Sequence, residues 1–399
     1  MASKRTVHKR YTFWWRMLRP LVALFALSKG YRWGKKLKMK KGDSYIILSN
    51  HVTQWDGVFL ALSFSRPYSI LVSDSFFSNG FLSNMVAHMF GIIPKKKGTV
   101  DMKSTITMAK TIKEGGNLAF YPEGNRTYAE FQFPFTPRFG AFIRKFNKKI
   151  VIFNVHGGFG SYPRFSKSRR KGKYYGEIKM ILNPEDYAKF TDEEFEDFLK
   201  ENLKVFDSES GEVYKSKAKA EYLERMLFVC PKCGAIQTLS SSGDHLVCSK
   251  CGLDVEYTED LHLKSNDSEF KFNKLIDWYN FQIKFLNDYN PEDGTIFKDD
   301  NVRFYISNPY QKRKLISKGS LVLLKDKLIF DNKFEINVSD IEIASPINGC
   351  DFNFSTSDEN YLVKGDKRFN PLKYVLMLNR LDSKMKATKS DIYYSLVER

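Results

Sequence analysis

The stretch "YIILSNHVTQWDG", Tyr45 to Gly57, runs an apolar strand-like segment straight into a histidine and, five positions on, an aspartate. Its two readings differ in consequence. Either His51 is a base oriented by Asp56, or the two residues belong to an ordinary turn between a strand and a helix. The motif alone does not choose, because a short His–Asp spacing arises readily by composition.

Around it, from Tyr45 to about Phe206, short apolar runs alternate with amphipathic stretches, which predicts an α/β domain with a mixed sheet flanked by helices. Expected strands are Tyr45–Ser49, Ser69–Val72, Leu118–Tyr121, Ile150–Val155 and Glu177–Leu182. Expected helices are Asp56–Ser65, Phe81–Phe90, Met102–Glu114, Pro137–Phe146 and Thr191–Val205. Thr191 and Glu194, three apart, form a capping box for the last of these.

The chain has 399 residues, enough for two or three domains, and a formal charge of +18, which favours nucleic acid, anionic lipid or phosphorylated small molecules. The charge is concentrated at the start, where residues 1–41 carry 13 Lys or Arg and no acid. Within that segment, Trp14, Leu18, Leu21 and Phe25 recur at helical spacing beside Arg16 and Arg19. The arginines and Pro20 argue against a spanning helix, since each mid-bilayer Arg costs about 2.5–3.5 kcal/mol. Segment 1–30 therefore reads as a basic amphipathic helix lying on an anionic membrane surface, the alternative being a helix packed on the protein's own core. The apolar run Leu21–Leu27 is short for a secretory signal, and no small-residue cleavage site follows it.

A second signal is "LAFYPEGNRT", Leu118 to Thr127, in which a strand breaks at Pro122 and presents Glu123, Gly124, Asn125 and Arg126 on a tight turn. An arginine there is suited to clamp phosphate. Between the two signals, "GIIPKKKG", Gly91 to Gly98, adds three cations. Any one of these pieces is commonly a solvated loop.

In this order and spacing, NHxxxxD, then G-x-I-P with cations, then PEG-N-R-T, the region of roughly residues 31–206 resembles the 1-acyl-glycerol-3-phosphate acyltransferase family. The resemblance implies that His51 and Asp56 are the catalytic pair. It implies that Asn50, Lys97, Glu123, Gly124, Asn125 and Arg126 bind substrate. Lys97 stands where the family usually has Arg, and loses the bidentate fork. Asn154, in "VIFNVHGG", replaces the proline of the family's V-P-V-like element. Implied partners are a lysophosphatidic-acid-like acceptor and an acyl donor, carried by acyl carrier protein, coenzyme A or phosphate.

The residue types suit that chemistry. An imidazole near pKa 6.5 can take the acceptor's hydroxyl proton, and a carboxylate can fix its tautomer. Backbone N–H groups at a helix start near Asp56 could face developing negative charge. Glu123 either fixes Arg126 or bonds the acceptor's hydroxyls; no carboxylate or histidine stands near it at ligand spacing, so no catalytic metal is expected. His156 at a strand end and His88 on an apolar helix read as structural.

Past a polar linker at 207–225, "CPKCG" and "CSKCG" place Cys230, Cys233, Cys248 and Cys251 at the spacing of a zinc ribbon over 226–257. Four protein ligands leave no open position, so the expected Zn²⁺ is structural, and reduced thiolates imply the cytoplasmic side of the membrane. Cys350 reads as a small apolar residue. Residues 270–399 read as strands, including two within Gly319–Asp331, before a helix opening at Asn370-Pro371. That pattern resembles a pleckstrin-homology or GRAM-type domain, with Lys312, Arg313, Lys314 and Lys318 as possible lipid contacts. Segment 207–257 mixes both charge signs with little basic-aromatic interleaving, which disfavours nucleic acid as the partner.

Overall fold

The computed structural model describes residues 7–73, 85, 87, 89–95, 102–133, 135–292, 294–308, 311–347 and 349–381. The chain forms two compact units, one of residues 1–163 and 171–212, the other of 164–170 and 213–399.

The first unit is built on the strand that opens the argument. Strand β2 (Tyr45–Ser49) is buried at every position and lies mid-sheet, as its unbroken apolar sequence requires. Its neighbours are β1 (Tyr31–Trp33), β3 (Ser69–Ser73), β4 (Ile93–Lys95), β5 (Leu118–Phe120), β6 (Lys149–His156) and β7 (Tyr174–Leu182), in the order β1-β7-β6-β2-β5-β3-β4. Strands β2, β3, β4, β5 and β6 are linked by parallel pairings, whereas β6 and β7 are antiparallel, so the sheet is mixed. Alternation along β2 supplies both faces. Ile46 and Leu48 join Phe195, Leu199 and Leu203 on one side; Tyr45 and Ile47 join Phe59, Leu60 and Leu62 on the other.

The helices follow the expected order with shorter bounds. Helix α1 (Val7–Ser28) contains Pro20. Asp56–Phe59 forms one α-helical turn, α2, and Leu60–Ser63 tightens into a 3-10 turn, so the single helix anticipated from Asp56 to Ser65 is broken. Met102–Lys113, Phe139–Arg144 and Asp192–Leu203 follow, and the capping box at Thr191 is present in both directions. Most of the anticipated helix Phe81–Phe90, including His88, lies outside the described residues, as does Lys97.

Helix α1 is apolar on two sides. Trp15 and Ala26 are buried and Phe25 packs on Trp55 and Phe59, whereas Phe13, Met17, Leu21, Leu24 and Leu27 face outward. Of the stripe expected from spacing, only Leu21 is exposed; Trp14, Leu18 and Phe25 are half-buried, because that side of the helix is partly covered by its own domain. No described helix is long and apolar enough to cross a membrane.

Segment 207–225 is partly packed and partly exposed: Asp207, Lys219, Ala220 and Leu223 are buried, Glu209, Gly211 and Lys217 are exposed, and the change of unit falls within it. The second unit holds a four-stranded sheet, with β8 (Leu239–Ser242), β9 (His245–Cys248), β10 (Asp254–Tyr257) and β11 (Leu263–Lys264). A helix not anticipated from the sequence, Leu275–Asp288, follows; its Trp278 indole donates to the Val229 carbonyl, and its Gln282 side chain bonds Met226 and Phe228. Seven further strands between Phe297 and Lys364 form an antiparallel sheet, followed by the helix Pro371–Leu381 that the sequence placed at Asn370-Pro371.

Candidate active site

Strands β2, β5 and β6 run parallel, and the chain leaves their carboxyl ends at Asn50, Tyr121 and Gly157. Open α/β sheets place ligands at such ends, so the first two sequence motifs fall where the topology puts a site.

His51 is held from four directions. Its Nδ1 lies 3.0 Å from Asp56 Oδ2, its ring stacks on Tyr121 at a centroid distance of 4.3 Å, its backbone N–H points at Glu123 Oε1 (3.4 Å), and its carbonyl accepts from Thr127 N at 3.1 Å. The last two bonds stitch the NHxxxxD loop to the PEG-N-R-T turn, and set Arg126 one residue from the His51 backbone contact. The turn itself needs Gly124, whose φ is +65° with open space around it. Gly124 is exposed, and Asn125 and Arg126 are half-buried.

Asp56 is a fully buried side chain, yet it is well supplied with donors. Oδ2 also accepts from the backbone N–H groups of Val52 (2.7 Å) and Thr53 (2.8 Å), and Oδ1 accepts from Thr53 Oγ1. Thr53 Oγ1 in turn lies 2.9 Å from the Tyr174 hydroxyl. The N–H groups of Val52 and Thr53, ahead of α2, are therefore spent on Asp56 itself. With Nδ1–H donated to the carboxylate, the basic lone pair of the His51 imidazole is on Nε2, and the side chain keeps 24% exposure through which a reactant can approach.

Glu123 holds backbone N–H groups from two loops. It is buried, and its two oxygens accept from the backbone N–H groups of His51 and Phe133. Burial, with a smaller push from the Asp56 charge, raises its pKa to about 8, so at neutral pH it is mainly the neutral acid. Asn50 is likewise turned inward. Its amide donates to the Val155 carbonyl (2.9 Å) and accepts from the Val155 N–H (2.8 Å), tying the end of β2 to β6 where it lines the cavity beside His51.

A small cavity of about 20 Å³, room for one water, adjoins His51 and is lined by Glu123, Thr127, Glu130 and Asp207 among others. Burial raises the Glu130 pKa to about 7, and burial likewise raises that of Asp207, whose oxygens accept from Gly157 N and Gly160 N. Glu130, Asp207, Thr53 and Tyr174 were not identified from sequence. Thr53 lies inside the quoted motif; the others are distant in sequence and carry no local signal. Asn154 is buried on β6 and donates to the Asn202 carbonyl, and His156 lies 3.2 Å from Glu177 and stacks on Tyr175.

In the second unit the sulfurs of Cys230, Cys233, Cys248 and Cys251 all lie within 4.8 Å of one another, and none is in a disulfide. Each CxxC turn closes the same way, Gly234 N–H on the Cys230 carbonyl and Gly252 N–H on the Cys248 carbonyl, with both glycines at positive φ. Among the described residues this is the single cluster with metal-ligand geometry.

The site is thus a buried carboxylate bonded to a half-buried imidazole at the carboxyl ends of parallel strands in an α/β domain. Residues 33–155, the segment that carries both the NHxxxxD and the PEG-N-R-T motifs, match the family model described as Acyltransferase. Among solved structures, the chain is similar to the 1-acyl-sn-glycerophosphate (LPA) acyltransferase PlsC from Thermotoga maritima. That pair is 11% identical with a TM-score of 0.37, covering 49% of this chain and 93% of the other. No curated protein sequence matches the chain.

Proposed function

We propose that the chain is a membrane-surface O-acyltransferase that moves a fatty acyl group to the free hydroxyl of 1-acyl-glycerol-3-phosphate, giving phosphatidic acid. The observation that carries this reading is the His51–Asp56 pair within an acyltransferase domain. His51 Nε2 takes the hydroxyl proton as the acceptor oxygen attacks the donor carbonyl. Asp56 stabilises the imidazolium that results. As the new C–O bond forms, the C–S bond of a thioester or the C–O bond of an acyl phosphate breaks, and the His51 proton passes to the leaving group. Arg126 and Lys97 are assigned to the acceptor's phosphate, which positions its hydroxyl near the base.

The exposed apolar stripe of α1 and the acid-free basic segment around it support attachment to the cytoplasmic membrane face without a spanning helix. Four converging thiols fit a tetrahedral Zn²⁺ of structural type, which would brace the two CxxC turns. The antiparallel sheet followed by the helix Pro371–Leu381 supports a pleckstrin-homology- or GRAM-like reading of residues 270–399. Mass-spectrometric product analysis with a panel of acyl donors and lysophospholipid acceptors tests the assignment. Phosphatidic acid from lysophosphatidic acid is the expected product; acylation of other lysophospholipids alone would move the acceptor assignment elsewhere.

A further inference from the structure

A second cavity, of about 410 Å³, shares no residue with the one beside His51. One wall is α1, contributing Trp15, Arg16 and Arg19; the facing wall includes Trp33, Lys36 and Leu62. Three of the lining residues are cations and none is acidic. Arg19 is fixed by donating to the Leu62 carbonyl at 2.7 Å, and its guanidinium lies 4.8 Å from the centre of the Trp15 ring. Lys36 Nζ approaches the same ring at 5.6 Å. Two cations are thus gathered against one indole without a carboxylate lining the space, an arrangement that invites an anion.

The indole itself adds a second observation. Trp15 is 8% exposed, and its Nε1–H meets no acceptor among the described residues. Leaving a buried donor unpaired is costly, and an anionic oxygen that reached the covered Nε1–H through a small shift of the ring would pair it. The rim identifies what carries that oxygen. Met17, Leu21 and Leu24 are exposed on α1 about one residue's rotation beyond Arg16 and Pro20, so apolar surface adjoins the cationic mouth. A molecule with an anionic head and acyl chains meets both.

We propose that this cavity binds the phosphate-bearing headgroup of an anionic phospholipid, as a site separate from the His51 centre; it rests on α1 lying at the membrane surface. The test uses the full chain and the change in tryptophan fluorescence on adding monomeric dihexanoyl phosphatidylglycerol, dihexanoyl phosphatidylcholine or inorganic phosphate. Saturable binding of phosphatidylglycerol is expected, with a weaker response to the other two and loss of the signal in Trp15→Phe. Neutralising a cation near lipid weakens binding about fivefold, so Arg16→Gln with Lys36→Gln should weaken it about 25-fold. Lys40→Gln with Lys41→Gln, an equal loss of charge outside the cavity, should leave monomer binding unchanged. Equal loss in both pairs, or phosphate bound as tightly as lipid, overturns the proposal. Acyl transfer to a monomeric acceptor should persist in Arg16→Gln/Lys36→Gln; its loss there would make the cavity part of the acceptor site. Absence of acyl transfer in the wild type would remove the enzymatic reading while leaving the binding result to stand or fall by itself.

Discussion

Donating Nδ1–H to Asp56 leaves Nε2 of His51 as the basic nitrogen, and the Asp56 carboxylate is prepared for that task by donors from Val52 and Thr53. Glu123 sits one hydrogen bond from the His51 backbone. Its folded pKa, about 8, stands above the ordinary 4.5, so the native state binds the proton more tightly than the unfolded chain. Stability from this group is therefore full below about pH 4.5 and falls as pH rises toward about 8. Glu123→Gln should flatten that fall, measured as the urea midpoint across the same range relative to wild type; an unchanged slope would mean the burial penalty lies elsewhere. For Arg126, replacing a charge-assisted phosphate contact removes about 1.5–3 kcal/mol, so Arg126→Ala should raise KM for the phosphorylated acceptor about 10–150-fold. An effect on the acyl donor alone would contradict its assignment.

Among the elements, those with strong local signals were legible before the structure. β2 matches its anticipated bounds, Tyr45–Ser49, because a five-residue apolar run between polar turns has few other uses. The helix Asp192–Leu203 begins where Thr191 and Glu194 announced it, with bonds of 3.2 and 2.8 Å between backbone and side chain. Thr191→Ala should cost about 1 kcal/mol of stability in urea unfolding, and no change would mean the box contributes nothing net. The less legible elements depend on partners remote in sequence. β1 and β4 are three-residue edge strands whose existence is decided by pairing with β7 and β3. Which side of α1 faces outward was decided by Trp55 and Phe59 packing on Phe25, which no periodicity within the helix encodes. In the site, the motifs located His51, Asp56 and Glu123, but the inward turn of Asn50 onto Val155 spans 105 positions and left no local trace.

At the scale of the molecule, the His51–Asp56 pair lies in one unit and the thiol cluster in the other, and each can be tested by itself. Elemental analysis should find one zinc per chain, absent from the Cys230→Ser/Cys248→Ser variant, with a lowered thermal midpoint once it is removed. Zinc retained in that variant would exclude the four-thiolate site. The central claim concerns a proton leaving a hydroxyl, and turnover reads it most directly. Acyl transfer to lysophosphatidic acid should fall about 10²–10⁴-fold in His51→Ala while the circular dichroism spectrum is retained. Wild-type turnover in that variant would contradict the account.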